Sequence, residues 1–178
     1  MRKLATIGYE GATIEPFVRA LKSARVRRLF DVRELPLSRK KGFSKSALAE
    51  RLDRDGIDYV HVKALGDPKS GRTAARAGDL TQFKRIYGRH LKTADARQAL
   101  IYLGEAVLQS KSCLLCFEYD PSDCHRQIVA SVVSKAVGIK IEHLFVPQPA
   151  DRSSDEQKRA RRSHRSREGA PAPQHETW

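Results

Sequence analysis

Strand-like runs alternate with helical patterns along the first 150 residues, and this alternation constrains the fold more than any other feature of the chain. Five short runs read as strands: "KLATIGY" (3–9), "RRLFDVR" (27–33), "IDYVHVKAL" (57–65), "SCLLCFE" (112–118) and "IKIEHLF" (139–145). Each is rich in β-branched or aromatic residues and bounded by glycine or proline. Helical spacing appears between them. "TIEPFVRALKSA" has Thr13 as its expected N-cap and Phe17, Val18 and Leu21 on one face; "SKSALAERLDRDG" runs from Ser44 to a terminating Gly56. "DLTQFKRIYGRHL" and "ADARQALIYLGEAVLQ" form a helical insert before the fourth strand. In "DPSDCHRQIVASVVSKAVG", Asp120 reads as N-cap, Pro121 as the first helical residue and Gly138 as terminator. Strands separated by helices connect by crossovers, so they lie parallel. The expected class is α/β: a three-layer open sheet of about five mainly parallel strands with helices on both faces.

Residues 1–150 are long enough for one α/β domain with a substantial core. Residues 151–178 are rich in Arg, Ser, Pro and Ala and read as a basic, disordered C-terminal tail. The net charge of +13 is not confined to that tail. Residues 1–150 hold 27 Lys+Arg against 16 Asp+Glu, a net of +11. A basic body attracts anions, which points to a phosphate-bearing small molecule or nucleic acid as partner. No run of apolar residues is long enough to span a bilayer, so no membrane partner is expected. The N-terminus lacks a signal-peptide pattern and the three cysteines are odd in number, which fits free thiols in a reducing, cytoplasmic setting. The sequence leaves the oligomeric state open.

In open parallel sheets, ligands bind beyond the carboxyl ends of the strands. Four of the five strands end in ionisable side chains: Tyr9 and Glu10; Asp31 and Arg33, followed by Ser38, Arg39, Lys40 and Lys41; His61 and Lys63; then Cys116 and Glu118, followed by Cys124, His125 and Arg126. A parallel sheet brings these groups to one edge. Asp31 and Arg33 share a strand face, either as an internal ion pair or with Arg33 as a fork for phosphate. Glu118, partly desolvated, reads as a general acid or base with a raised pKa, or as a carboxylate accepting backbone N–H bonds from the next turn. Near a helix start, Cys124 is either an activated thiol or a small buried side chain, with His125 beside it. Arg126 and the helix N–H groups make an anion cradle, against which the carboxylates of Asp120 and Asp123 compete.

Other motifs are weaker. Cys113 and Cys116 have zinc-knuckle spacing, with Cys124 and His125 available to complete a set of four. Residues three apart on a strand face opposite ways, which argues against that set, so no metal is expected. "TIGYEG" lacks a dinucleotide fingerprint and no phosphate-binding P-loop is present, so no cofactor is expected. "SRKKGFSK" (38–45) interleaves Phe43 with Arg39, Lys40, Lys41 and Lys45; the cations suit phosphates or solvent, and Phe43 suits packing at the start of the next helix.

The segments "TIGYEG" (6–11), "DVRELPLSRKKGFSK" (31–45), "GIDYVHVKALG" (56–66) and "LLCFEYDPSDCHR" (114–126) together resemble the family called domain of unknown function 488. The resemblance implies a Rossmann-like α/β fold and no particular reaction. It carries over the motif residues Tyr9, Glu10, Asp31, Arg33, Pro36, Ser38, Phe43, Glu118, Cys124, His125 and Arg126. Two functions follow as expectations. One is an enzyme acting on a phosphate-bearing substrate, a hydrolase or transferase in which Glu118 moves a proton, Arg33 and Arg126 hold the anion, and Cys124 and His125 assist. The alternative is a non-catalytic nucleic-acid-binding module.

Overall fold

The computed structural model describes residues 3–147; the tail read from the sequence lies outside the described residues. Five strands form one sheet: β1 (Lys3–Gly8), β2 (Arg28–Asp31), β3 (Asp58–His61), β4 (Ser112–Cys116) and β5 (Lys140–Leu144). All pairings are parallel, and the spatial order is β3-β2-β4-β1-β5. Six helices accompany them: α1 (Ile14–Ser23), α2 (Lys45–Arg54), α3 (Lys69–Arg76), α4 (Leu80–His90), α5 (Ala94–Gln109) and α6 (His125–Val137). No helix among the described residues is long and apolar enough to cross a membrane.

Strand alternation divides the core in two. On one face, Ala5, Ile7, Leu29, Cys113 and Leu115 pack against Phe17, Val18 and Leu21 of α1 and Leu48 and Leu52 of α2. On the other, Leu4, Phe30 and Leu114 pack against Phe83 and Tyr87 of α4, Leu103 and Val107 of α5, and Val129 and Val133 of α6. The central strand β4 is buried along its whole length, as a strand covered on both sides must be. Each fully buried Leu or Phe contributes about 1.5–3 kcal/mol through removal of its apolar surface from water.

The topology positions the site. The chain leaves β1, skips one position to build β2 and β3, then returns to insert β4 between β1 and β2. The helices after β1 and β2 cover one face, while the helix after β4 covers the other. Neighbouring strands whose connections depart to opposite faces open a crevice at their carboxyl ends. β4 has such a neighbour on each side.

Three local features depart from the sequence reading. The second and third strands end at Asp31 and His61, short of the expected residues 33 and 65, so Arg33 lies just past its strand and Lys63 in a 3-10 turn (Lys63–Leu65). The segment 69–76 forms α3, which no apolar periodicity announced; only Gly71 and Ala74 of it are buried. The helix after β4 starts later than expected. Asp120 caps a single 3-10 turn (Pro121–Asp123), its Oδ1 accepting the Ser122 N–H at 2.8 Å, and α6 proper begins at His125 with Cys124 as N-cap. Gly138 ends α6 in the left-handed region (φ 69°), as a C-terminal glycine does.

Candidate functional site

The carboxyl ends of β1, β2 and β4 meet as the strand order requires. The Tyr9 and Glu10 N–H groups both donate to the Phe117 carbonyl, at 3.1 and 2.8 Å. Glu10 Oε2 accepts the Tyr119 N–H at 2.9 Å. Gly8 lies so close to the 118–119 peptide that a Cβ there would stand 1.8 Å from the Glu118 carbonyl oxygen. That contact explains why a glycine ends β1. Polar side chains then gather in two groups, one on each face of the sheet.

On the α1–α2 face, Asp31 and Arg33 form a buried bidentate ion pair: Nε donates to Oδ1 at 2.8 Å and Nη2 to Oδ2 at 2.5 Å. Arg33 Nη1 donates to the Tyr9 hydroxyl and the Phe43 carbonyl, each at 3.0 Å. Tyr59 donates its hydroxyl to Asp31 Oδ2 at 2.6 Å. The His61 ring bonds the Arg33 carbonyl at 2.8 Å. Phe43 stacks on Tyr9 with ring centroids 4.5 Å apart. Burial opposes the charge on Arg33, yet the Asp31 bonds hold its pKa above the ordinary value. This arrangement decides the alternative left by the sequence: the pair is internal, and Arg33 ties β1, β2 and the 36–45 loop together.

On the α6 face the cluster is of another kind. Cys116, at the end of β4, and Cys124 and His125, at the start of α6, are 4%, 2% and 5% exposed. His125 Nδ1 lies 3.6 Å from Cys116 Sγ and 4.0 Å from Cys124 Sγ. His125 Nε2 lies 2.7 Å from the Val32 carbonyl. A carbonyl only accepts, so Nε2 carries a proton and Nδ1 faces the thiols. Cys116 Sγ donates to Glu118 Oε2 at 3.1 Å. Asp67, just past the 3-10 turn that follows β3, is buried with Oδ1 lacking a hydrogen-bond partner among the described residues; its electrostatic neighbours are His125 and Glu118. Tyr87 of α4 sets its ring edge-on to His125, centroids 5.3 Å apart.

The electrostatics and geometry bear on three readings that the sequence left open. Burial would raise the Glu118 carboxyl, but bonds from Cys124, Cys116 and the backbone outweigh it and hold the carboxyl below its ordinary value. Burial pushes the Cys124 thiol well up, and its interactions with Cys116 add to this while His125 opposes. Cys124 Sγ caps α6, accepting the Arg126 N–H at 3.5 Å. Burial works against a charged His125, yet Cys124, the Val32 carbonyl and Glu118 bring its pKa up to about 8. Burial raises the Asp67 carboxyl to about 6, with His125 opposing and Glu118 reinforcing.

The third reading concerns Arg126, which is buried beneath the 117–119 loop. Its side chain is 1% exposed and donates to the Glu118 carbonyl at 2.6 Å and the Tyr119 carbonyl at 3.0 Å. It braces the 117–119 loop from behind. Ser38 Oγ accepts the Lys40 N–H at 3.1 Å and shapes the basic loop. Arg39 and Lys41 of that loop are exposed. Three aromatic side chains, Phe117, Tyr119 and Phe145, are also exposed. Phe117 packs edge-on against Tyr9 and Tyr119 lies against Phe145.

Sequence reasoning missed Asp67, and it grouped Cys116 with Cys124 and His125 only in a set of four with Cys113 that strand alternation argued against. Cys113 indeed faces the other way, in the α1–α2 core, but the three remaining donors converge, their ligand atoms all within 4.8 Å of one another. The available signal was Cys116 at a strand tip followed by Cys-His at the next helix start. Asp67 was signalled only by its place in "GDP", directly after the third strand. A groove of about 740 Å³ between α3 and α4, lined by Lys69, Thr73, Gln82 and Ile86, shares no residue with the cluster.

No curated protein and no solved structure matches the chain. One family model does, over residues 13–133, more than half of the chain and inclusive of β2, the basic loop, Asp67 and the Cys-His helix start. The matched span holds every member of the α6-face cluster and, Tyr9 apart, those of the Asp31–Arg33 group, and the chain belongs to the family Domain of unknown function DUF488.

Proposed function

We propose that the protein is an enzyme acting on a phosphate-bearing substrate, a nucleotide or nucleic acid, at the carboxyl edge of its sheet. One observation carries this reading. Cys116, Glu118, Cys124 and His125 come together at the β4–α6 corner, with Asp67 in electrostatic reach, and among the described residues no Lys or Arg closes the group with an ion pair. Titratable groups gathered with unmatched bonding capacity are the usual mark of a working site. Glu118, half-buried and ionised, is the proton acceptor. Anion binding falls to the exposed Arg39 and Lys41, since Arg33 and Arg126 are committed internally. The exposed aromatics Phe117 and Tyr119 suit stacking on a base.

The test is turnover of a panel of nucleotides and short RNA and DNA strands by purified protein. Turnover lost in Glu118→Gln and retained in Cys113→Ser supports the reading. Turnover unchanged in Glu118→Gln overturns it.

The burial of both thiols and His125 favours a second reading, a non-catalytic nucleic-acid-binding module in which the cluster is internal. That module binds RNA or DNA with steep salt dependence, turns nothing over, and binds equally well as Glu118→Gln.

A further inference from the structure

We propose that Cys116, Cys124 and His125 form a binding site for one zinc-like divalent transition-metal ion. The site goes beyond the substrate reading above and stands whether or not that reading holds. Around a tetrahedral zinc, with metal–sulfur and metal–nitrogen bonds of about 2.3 and 2.0–2.1 Å, neighbouring donor atoms sit about 3.5–3.8 Å apart. Here Nδ1 is 3.6 Å from one sulfur and 4.0 Å from the other, and all three donors lie within 4.8 Å of one another. The two nitrogen–sulfur distances thus lie within about 0.5 Å of those of a bound ion.

Three further observations point to a cation. His125 already donates Nε2–H to the Val32 carbonyl, which turns the lone pair of Nδ1 toward the sulfurs. Metal-binding histidines are held by this kind of outer-shell bond. The sulfurs are buried where an uncompensated thiolate is costly, and a divalent ion with two thiolates and a neutral imidazole carries no net charge. Asp67, whose Oδ1 lies against Gly71 with no hydrogen-bond partner among the described residues, is under the electrostatic influence of His125, and a cation bound there would relieve its charge. Two thiolates and an imidazole select zinc-like ions over calcium or magnesium. Glu118, whose carboxylate accepts from Cys116 Sγ at 3.1 Å, borders the set, and a fourth ligand would come from that side.

The experiment uses the full chain, reduced and freed of metal by chelation, and titrates it with cobalt(II) alone and then with zinc(II). The expected result is one equivalent bound, with thiolate-to-cobalt charge transfer and the intense visible bands of tetrahedral cobalt, both erased by zinc. Cys124→Ser and His125→Gln weaken binding by more than the roughly 10–100-fold that loss of an outer-shell partner costs. Cys113→Ser, on the other face, binds as the parent does. Absence of the charge-transfer band in the wild-type chain overturns the proposal. So does rapid air oxidation to a Cys116–Cys124 disulfide in the presence of excess zinc. The wild-type spectra alone separate these outcomes, so a variant that fails to fold alters none of them. Metal binding without turnover overturns only the enzymatic reading, and turnover by metal-free protein without the cobalt bands overturns only the metal site.

Discussion

The two faces of the sheet edge carry buried polar clusters, and they are finished differently. On the α1–α2 face, Arg33 has Asp31, Tyr9 and Phe43 as acceptors, and Asp31 has Arg33 and Tyr59 as donors. Opposite charges cancel and the bonds close on one another. On the α6 face, two thiols, an imidazole and two carboxylates face each other, and among the described residues no guanidinium or ammonium is bonded to their side chains. Burial of charge alone therefore does not mark a site. The closed group reads as architecture, and the group with spare acceptor capacity reads as the place for a ligand.

That contrast can be broken most strongly at Asp31. Asp31→Asn leaves a buried guanidinium without its counter-ion and is expected to destabilise the fold by about 3–5 kcal/mol, measured by urea unfolding. Replacing Asp31 and Arg33 together by apolar residues is expected to cost less than the two single changes summed, because the two are coupled. At Glu118 the expectation is reversed. Glu118→Gln should change stability by less than about 1 kcal/mol, yet lower turnover roughly 10²–10⁴-fold in a steady-state assay. A large loss of stability there would erase the distinction between the faces.

Asp67 sharpens the comparison by its pH dependence. Its folded pKa of about 6 lies above the ordinary 3.8, so the folded state binds its proton more tightly than the unfolded chain does. The stability it contributes is complete below pH 3.8 and is lost as pH rises through 6. In metal-free protein, Asp67→Asn should flatten that slope and stabilise the fold at neutral pH by on the order of 2 kcal/mol, seen in melting curves across the range. The smallest effect belongs to the rim. Arg39→Ala should leave the melting temperature unchanged and lower the salt slope of nucleic-acid binding by about 0.7–0.9, read from titrations at several salt concentrations.

Much of the fold was legible in the chain for definite reasons. "SCLLCFE" is apolar over most of its length because β4 is covered on both faces, and Phe17, Val18 and Leu21 repeat at helical spacing because α1 buries one stripe. The site was legible as a place but not as a set of partners. Arg126 sits next to His125 in "CHR", yet it points into the 118–119 carbonyls while His125 points at the cysteines, because adjacent helical residues do not share a face. Helix α3 carried no readable signal, since its short inward stripe consists of Gly71 and Ala74.

Alternation of strands and helices, the charge of the body and the residue types at four strand ends were properties of the sequence alone. They determined a parallel α/β sheet with its polar residues at one edge, because local periodicity and crossover connections are set by neighbours in the chain. The pairing of those residues was decided only by the tertiary structure. Insertion of β4 between β1 and β2 brought Tyr9 to the Asp31–Arg33 pair on one face, and set His125 against the Val32 carbonyl on the other. Strand order depends on contacts distant in sequence, and no local pattern encodes which side chain will lie opposite another.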